Sequence, residues 1–368
     1  MERRQGSVEG LALTRASPDP AFWTRQRVLL TGHTGFKGAW TALWLERLGA
    51  TVHGLALAPD HTPDLFSRLE PYDRSTSTID DIRDLSAVRR AVDAAAPTIV
   101  LHMAAQPLVR QSYADPVSTF ATNFMGTVNV LEALRGAAGL TAVLIVTTDK
   151  VYRNDDSGTP FAEADPLGGH DPYSASKACA EIATAAYADS FFTRAGVALA
   201  TARAGNVVGG GDWSPDRLVP DVWRALHRGE PLELRYPHAT RPWQHVLDSL
   251  CGYLVYLERL AEHPHAVPLA MNFGPDDAAG LTVAAVAETI AAHFPGARGW
   301  VAAPGDQPAE AQALALDPSR AHSVLGWRTR LSAREALAWT ADWYRGFDKG
   351  TDVRELTLDQ IQRYEAFA

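Results

Sequence analysis

The chain has 368 residues, of which 46% are hydrophobic and 21% charged, a composition typical of an ordinary globular protein. Its net charge of -9 argues against a nucleic acid as the main partner, because binding a phosphate backbone requires a basic surface. Two cysteines, Cys179 and Cys251, are too few for a disulfide scaffold and favour a reducing cytoplasm. The histidines include no His-Glu-x-x-His pattern, so no metal site is predicted.

The N-terminal segment 1–20 contains arginines and prolines without a continuous apolar run. It is therefore neither a signal peptide nor a membrane span, and we expect a disordered leader. The next residues, 27–31, form an apolar run typical of a buried strand. Apolar residues at helical spacing then predict a helix from Phe36 to Leu48, which ends at Gly49.

Apolar runs and helical patterns continue to alternate further along the chain. They predict strands at 51–57, 98–103, 142–147, 196–201 and 269–273. Such alternation implies a parallel sheet with right-handed crossovers, so the predicted fold is α/β, a Rossmann-type doubly wound sheet. After Arg203 the alternation gives way to glycine-rich loops and interrupted helical patterns, which predict a smaller mixed α/β C-terminal lobe.

A glycine turn, Gly32-x-x-Gly35-x-x-Gly38, closes the first strand and opens the first long helix. In that context it predicts a cradle for the pyrophosphate of a dinucleotide, although a tight turn in any α/β protein is the alternative. Asp60 comes later after the second strand than the acidic residue that usually binds the ribose hydroxyls of NAD. No arginine stands beside it to bind a 2′-phosphate, and NAD is therefore favoured over NADP. Asp81 is placed to bind the adenine, or else lies in a solvated acidic turn.

These patterns divide the chain into two units. Residues 21–205 with about 246–274 are predicted to form the NAD-binding domain, and about 206–245 with 275–350 the substrate-binding lobe. Ligands of open parallel sheets bind at the carboxyl ends of the strands, where these two units are expected to meet.

Tyr173 and Lys177 are four residues apart on a helix that Pro172 can open, so they share one helix face. A lysine charge beside a phenol favours the phenolate. At ~4 Å and an effective dielectric constant of 20 the interaction is about 4 kcal/mol, enough to bring a tyrosine pKa near 7. Such a tyrosine can take a proton from an alcohol. The alternative is an ordinary pair on a helix surface.

The sequence resembles the extended short-chain dehydrogenase/reductase family. The resemblance covers most of the chain and includes the glycine turn, Asp81-x-x-Asp84, His102-Met-Ala-Ala105, Asn123, Thr147-Thr-Asp-Lys150, the Tyr173/Lys177 pair and Arg203-Ala-Gly-Asn206. Longer runs at 31–38, 104–110, 203–213 and 241–246 are similar to its nucleotide-sugar 4,6-dehydratases that act on CDP-glucose. The resemblance implies NAD as cofactor and dehydration of CDP-D-glucose to a 4-keto-6-deoxy sugar, a step of deoxysugar biosynthesis such as that of O-antigen.

The resemblance also implies a role for each matching residue. The catalytic set is Thr148, Asp149, Lys150, Tyr173 and Lys177. The cofactor-binding set is Gly32, Thr34, Gly35, Phe36, Lys37, Gly38, Asp60, Asp81, Ile82, Ala104, Ala105, Gln106, Asn123, Thr147, Tyr173 and Lys177. The substrate-binding set is Gln106, Arg110, Asn206, Asp216, Arg217 and Arg241, with Gln106 pointing towards the hexose.

Several alternatives remain open at this stage. Asp149 and Lys150 could be a solvated pair at a strand end, and the sequence does not decide whether burial or their opposite charges controls their pKa values. Two of Arg203, Arg217 and Arg241 are expected to contact ligand. A 4-epimerase or reductase of the same family, or a non-catalytic dinucleotide-binding regulator, is the alternative function. Helices at 117–136 and 172–194 resemble those through which the family pairs, so a homodimer or homotetramer is expected.

Overall fold

The computed structural model describes residues 17–70, 75–276, 280–304 and 314–367. Residues 1–16 of the predicted leader, and parts of the predicted second lobe at 277–279 and 305–313, lie outside this range. The described residues include the last four of the predicted leader, 17–20: Asp19 caps a short helix, and its backbone N–H donates to Glu258 Oε1 at 2.7 Å. Arg330 donates to Ser17 Oγ at 2.6 Å.

The strands, in chain order, are β1 (Arg27–Thr31), β2 (Thr51–Ala56), β3 (Ser75–Ile79), β4 (Ile99–His102), β5 (Ala142–Val146), β6 (Ala198–Ala204), β7 (Asn206–Val208), β8 (Leu232–Leu234), β9 (Thr240–Arg241), β10 (Trp243–His245), β11 (Ala270–Phe273), β12 (Leu281–Thr282) and β13 (Trp300–Ala302). Within the described residues, seven of them form a parallel sheet in the order β11-β6-β5-β4-β1-β2-β3. The predicted Rossmann-type sheet is confirmed.

The helices are α1 (Pro20–Trp23), α2 (Phe36–Arg47), α3 (Leu65–Leu69), α4 (Leu85–Ala95), α5 (Val109–Ala114), α6 (Pro116–Phe120), α7 (Gly126–Leu134), α8 (Pro172–Tyr187), α9 (Leu218–Arg228), α10 (Val246–Glu262), α11 (Val283–Ala291), α12 (Ser319–Leu325), α13 (Ala333–Asp348) and α14 (Val353–Glu365). Two predicted continuous helices contain a π-helical turn, at Ala121–Met125 and at Ala188–Phe192. No helix among the described residues is long and apolar enough to cross a bilayer.

Burial explains which strands the sequence revealed. β4, β5 and β6 are buried along their whole length in the middle of the sheet, so their apolar runs are continuous. β3, Ser-Thr-Ser-Thr-Ile, lies at the edge of the sheet, where every residue is half-buried or exposed. Its polar composition therefore gave no strand signal, and the sequence analysis missed it.

The second lobe consists of small sheets and helices against the carboxyl edge of the large sheet. β7 pairs with β10, β8 pairs with β13, and β9 runs antiparallel to β12. α9 and α13 pack on α11, while α10 and β11 return to the first unit. α14 packs on α2 and α3, where Glu365 accepts hydrogen bonds from Trp44 and Arg47.

A buried aspartate joins three of these segments. Asp248 on α10 is fully buried, and its Oδ1 accepts hydrogen bonds from the Arg330 backbone N–H and the Tyr364 hydroxyl, both at 2.8 Å. Burial raises the pKa of Asp248 to about 6, although these two hydrogen bonds oppose the shift. The folded protein therefore holds a proton on Asp248 more tightly than the unfolded chain does.

We predict that Asp248→Asn changes how stability depends on pH. Because the folded pKa lies above the ordinary value of 3.8, the charged form is disfavoured and its cost grows as pH rises. From about pH 5 to about pH 7.5 the wild type should lose about 1.4 kcal/mol of unfolding free energy relative to the variant. Urea denaturation of both proteins at the two pH values measures this difference. Asp359→Asn, at an exposed position of α14, is the control; a pH-independent difference for Asp248→Asn would contradict the prediction.

Candidate active site

The carboxyl edge of the sheet opens into a cavity of about 640 Å³ that the second lobe covers. All but two of the residues predicted to bind cofactor or substrate or to act in catalysis line this cavity. The lining residues among them are Gly32, Thr34, Gly35, Phe36, Lys37, Gly38, Asp60, Asp81, Ile82, Ala104, Ala105, Arg110, Thr147, Thr148, Asp149, Lys150, Tyr173, Lys177, Asn206, Asp216, Arg217 and Arg241. The two exceptions are Gln106 and Asn123.

The glycine turn has the geometry of a dinucleotide cradle. Gly32 has φ +77°, and a Cβ there would lie 2.7 Å from the Ala104 backbone nitrogen, so the turn passes close to the end of β4. A Cβ on Gly38 would lie 2.0 Å from the Gly32 carbonyl oxygen, which presses α2 against the turn. Gly35 begins α2 without a side-chain cap, leaving the helix N-terminus to face an anion. The residues present thus fit a pyrophosphate.

The adenosine end of the cavity is acidic. Thr34 Oγ1 donates to the Leu57 carbonyl at 2.8 Å, which fixes the loop after β2. Asp60 in this loop is largely exposed and lies 2.6 Å from His61 Nδ1. Asp81 is held by two hydrogen bonds from the Arg83 guanidinium, and these hydrogen bonds lower the pKa of Asp81. A negative wall of this kind suits ribose hydroxyls rather than a 2′-phosphate.

Gln106 does not line the cavity, whereas the resemblance implied that it points towards the hexose. Its Nε2 donates to Thr119 Oγ1 at 2.9 Å and its Oε1 accepts from the Leu108 N–H at 2.6 Å. Asn123, in the π-helical turn, accepts from the Gln106 N–H at 2.8 Å and donates to Ser176 Oγ at 3.0 Å. The Asn123 amide thus joins the loop after β4 to α8, while the Gln106 amide joins this loop to α6.

Tyr173 and Lys177 lie one turn apart on α8, as the sequence predicted, with Asp171 as the helix cap. The predicted low pKa of Tyr173 is wrong for the structure without ligands: burial raises the pKa of Tyr173 to about 12, although a hydrogen bond with Thr148 and the charge of Arg217 oppose this. Lys177 Nζ donates to the Val146 carbonyl at 3.1 Å. Burial lowers the pKa of Lys177 to about 8. Sequence spacing could not reveal this desolvation.

Asp149 and Lys150 follow β5 in a single 3-10 turn that Thr148 caps. Asp149 is 2% exposed, and burial raises its pKa against the opposing charges of Lys150 and Arg241 and a hydrogen bond from Thr148 at 2.9 Å. The question left open by the sequence is thereby answered for Asp149: burial outweighs the neighbouring charges. A carboxyl group of this kind is suited to donate a proton near neutral pH.

Charged side chains connect the two sides of the cavity. Arg110 Nη1, from α5, lies 2.8 Å from Asp216 Oδ1 of the second lobe, and both side chains are substantially exposed. Asp216 has φ +59°, which is uncommon for a residue with a side chain. Arg217 donates to Asp212 at 2.9 Å. The paired Arg110 and Asp216 were both predicted as substrate contacts.

The Lys37 side chain reaches beyond the glycine turn. Its Nζ donates to the Tyr253 hydroxyl at 2.9 Å, and burial together with the charges of Arg217 and Lys177 lowers its pKa to about 7. Sequence reasoning missed Tyr253, because its position on α10 looks like an ordinary core position. It also missed the cavity-lining residues Arg235 and Tyr236, which carry no recognisable motif.

Arg203 is part of a buried network and does not line the cavity. It is 4% exposed, forms an ion pair with Glu181 at 2.7 Å and donates to the Tyr152 hydroxyl at 2.8 Å. Trp213 and Trp243 are both buried, and the Trp213 ring packs against that of Trp343 with centroids 5.6 Å apart. Among the described residues, no group of three or more His, Cys, Asp or Glu side chains could hold a metal ion.

The parallel sheet, the glycine turn and the Tyr173–Lys177 pair define an NAD-binding enzyme of the extended short-chain dehydrogenase/reductase class. Residues 29–340 match the model of the GDP-mannose 4,6 dehydratase family. A CDP-glucose 4,6-dehydratase from Salmonella typhimurium is 41% identical over 94% of this chain and 98% of its own. The chain belongs to the GDP-mannose 4,6 dehydratase family, which confirms the resemblance seen in the sequence.

Two further comparisons extend this relationship. A dTDP-glucose 4,6-dehydratase from Xanthomonas campestris is 27% identical over 86% of this chain and 92% of its own. The crystal structure of UDP-glucose 4-epimerase from Thermus thermophilus in complex with NAD has a TM-score of 0.75 and 26% identity, covering 87% of this chain and 99% of that one. The fold is thus shared by enzymes of more than one reaction type.

Proposed function

We propose that this protein dehydrates CDP-D-glucose to CDP-4-keto-6-deoxy-D-glucose with bound NAD, as a step of deoxysugar biosynthesis. The observation that carries the proposal is the meeting of Thr148, Asp149, Lys150 and Tyr173 on one cavity wall, beside a dinucleotide cradle. The 41% identity to a CDP-glucose 4,6-dehydratase supports the choice of nucleotide and sugar.

The oxidation half of the reaction belongs to α8. Tyr173 accepts the proton of the C4 hydroxyl, and Thr148 hydrogen-bonds with its phenol. The charge of Arg217 counteracts the burial that raises the pKa of Tyr173, and Lys177 is placed one helical turn away. When bound, NAD supplies the hydride acceptor for C4 and the later hydride donor for C6, and its positive ring favours the phenolate. No external reductant is needed.

The elimination half belongs to the turn after β5. The C4 ketone acidifies the C5 proton, which Lys150, or a water that it holds, removes. Asp149, kept protonated by burial, donates a proton to the departing C6 hydroxyl. Loss of the C5 proton and of the C6 hydroxyl, which departs as water, produces a double bond between C5 and C6. This double bond then accepts hydride at C6 and a proton at C5. The sugar leaves as a 4-keto-6-deoxy hexose.

Nucleotide binding is proposed for the second lobe, residues about 206–245 and 275–350. Arg217 and Arg241 supply positive charge for the diphosphate, and Asn206 lines the sugar end of the cavity. Arg110 and Asp216 stand at its mouth. A cytoplasmic location is proposed because Cys179 and Cys251 are both free thiols.

A 4-epimerase is the second candidate, because NAD-bound 4-epimerases share the fold. Epimerisation needs Tyr173 and Lys177 but has no use for an acid and a base at Asp149 and Lys150. A non-catalytic regulator would need neither pair. Purified protein mixed with CDP-glucose and NAD separates the three functions. A 4-keto sugar, detected by its ultraviolet absorbance in alkali, without net NADH is the expected result; CDP-galactose would mean epimerisation, and no turnover would favour the regulator.

We predict that Lys150→Ala stops the reaction after oxidation, because the base for C5 is lost while Tyr173 and Lys177 are intact. Stoichiometric NADH and a trapped 4-keto hexose should appear, seen at 340 nm and by mass spectrometry of the quenched mixture. Tyr173→Phe should form no NADH yet retain cofactor binding. Lys349→Ala, at an exposed position at the end of α13, is the matched control. Normal turnover by Lys150→Ala would remove Lys150 from the mechanism.

A homodimer or higher homo-oligomer is proposed through the packed helices α6 and α8. The outer faces of these helices, the adjacent α5 and the neighbouring π-helical turns expose large apolar side chains. Among the described residues these are Tyr113, Val117, Met125, Ile182 and Phe191, with Val117 79% and Ile182 60% exposed. An apolar surface of this kind on neighbouring elements is typical of a contact between subunits.

We predict that Ile182→Asp dissociates this oligomer, because a charge in an apolar interface loses its hydration without gaining a partner. Light scattering coupled to gel filtration should show a smaller mass for the variant than for the wild type at the same concentration. Val301→Asp, at an exposed apolar position of β13, should leave the mass unchanged. A monomeric wild type, or a variant of unchanged mass, would show that α8 is not the interface.

A further inference from the structure

A buried carboxylate lies behind the active-site wall and takes no direct part in the proposed mechanism. Glu181 is one helical turn beyond Lys177 on α8 and is 4% exposed. Its Oε1 accepts from Thr147 Oγ1 at 2.5 Å and from Arg203 Nε at 2.9 Å. Its Oε2 accepts from Thr201 Oγ1 at 2.8 Å and from Arg203 Nη2 at 2.7 Å. Four hydrogen bonds thus fix this one side chain.

Two side chains of α8 form hydrogen bonds with adjacent residues at the end of β5. Lys177 Nζ donates to the Val146 carbonyl at 3.1 Å, and Glu181 accepts a hydrogen bond from the hydroxyl of the next residue, Thr147. Thr147 leads directly into Thr148, Asp149 and Lys150. Thr147 therefore links α8, which carries Tyr173 and Lys177, to the turn that carries Asp149 and Lys150.

We propose that Glu181 is a positioning residue that, through Thr147, fixes the spacing between Tyr173 and Lys177 on α8 and Asp149 and Lys150 after β5. This inference rests on the proposed dehydration, which needs both pairs on one hexose in succession. A displacement of about 1 Å between reacting groups can lower a rate about a hundredfold. A hydrogen-bonded cross-link close to the reacting groups is a direct way to prevent it.

The simpler interpretation is that Glu181 only neutralises Arg203 in the core. Arg203 on β6 does form an ion pair with Glu181. Thr147, however, follows β5 and does not belong to that ion pair, and its hydroxyl adds nothing to the neutralisation of Arg203. The other hydroxyl on Glu181, that of Thr201, comes from the middle of β6 and leads to no active-site residue. Removing the hydroxyl of Thr147 or that of Thr201 therefore distinguishes a positioning role of Glu181 from simple neutralisation of Arg203.

The charges around this group come from several elements. Glu181 faces Arg203 on β6 and the Tyr256 phenol on α10, and its carboxylate raises the pKa of Lys177 against the effect of burial. Lys177 in turn faces Lys37 on α2 and His102 on β4; burial lowers the pKa values of both, and the charge of Lys177 lowers them further. Glu181 is the neighbour that favours the charged form of Lys177, which a purely packing role would not require.

The experiment compares Thr147→Val with Thr201→Val in full-length enzyme, each removing one hydroxyl from the same carboxylate. Both variants should lose similar thermal stability. Thr147→Val should lower kcat for CDP-glucose dehydration about tenfold or more with KM little changed, whereas Thr201→Val should keep wild-type kcat. Thr147→Ser, which restores the hydroxyl, should recover most of the activity. Equal kcat values for the two valine variants would overturn the proposal, while an inactive wild type would instead overturn the proposed function.

A second variant keeps the proposal testable if Thr147→Val does not fold. Glu181→Gln retains the shape and an oxygen acceptor but removes the charge. Because the carboxylate raises the pKa of Lys177, the alkaline limb of the pH profile of kcat for CDP-glucose dehydration should move to lower pH in this variant. An alkaline limb at the wild-type position would contradict a role for Glu181 in the active site.

Discussion

Loss of hydration at the carboxyl edge of the sheet controls the chemistry of this protein more than any single ion pair. Burial raises the pKa values of Asp149 and Tyr173 and lowers those of Lys177 and Lys37. All four shifts favour the neutral forms. The neutral form of Asp149 can donate a proton near neutral pH, whereas Tyr173 needs nearby positive charge, such as that of Arg217, to act as a base. The same burial demands that the supporting polar groups be hydrogen-bonded, as Glu181 is.

The order of elements explains why this edge is so well protected. β4, β5 and β6 occupy the middle of the sheet, and the segments that follow them supply the cavity wall. A parallel sheet directs all these segments to one side, where the second lobe covers them. Reactive groups from distant parts of the sequence therefore lie together in the same cavity.

Much of this arrangement was readable from the sequence, because local rules fix it. The glycine turn, the Asp171-Pro172 helix start and the buried strands each depend on a few adjacent residues. What the sequence missed depends on distant contacts. Tyr253 contacts Lys37 from α10, and the Gln106 amide, which does not line the cavity, is hydrogen-bonded by Leu108 and Thr119. The pKa of Tyr173 was predicted in the wrong direction, since spacing shows a neighbouring charge but not the depth of burial.

The ion pair between Arg110 and Asp216 has a further consequence for ligand exchange. Exposed pairs of this kind add little to folding stability, but this one bridges the two sides of the cavity mouth. Because this ion pair joins the two sides of the mouth, a ligand that enters the cavity between them must separate the two charges.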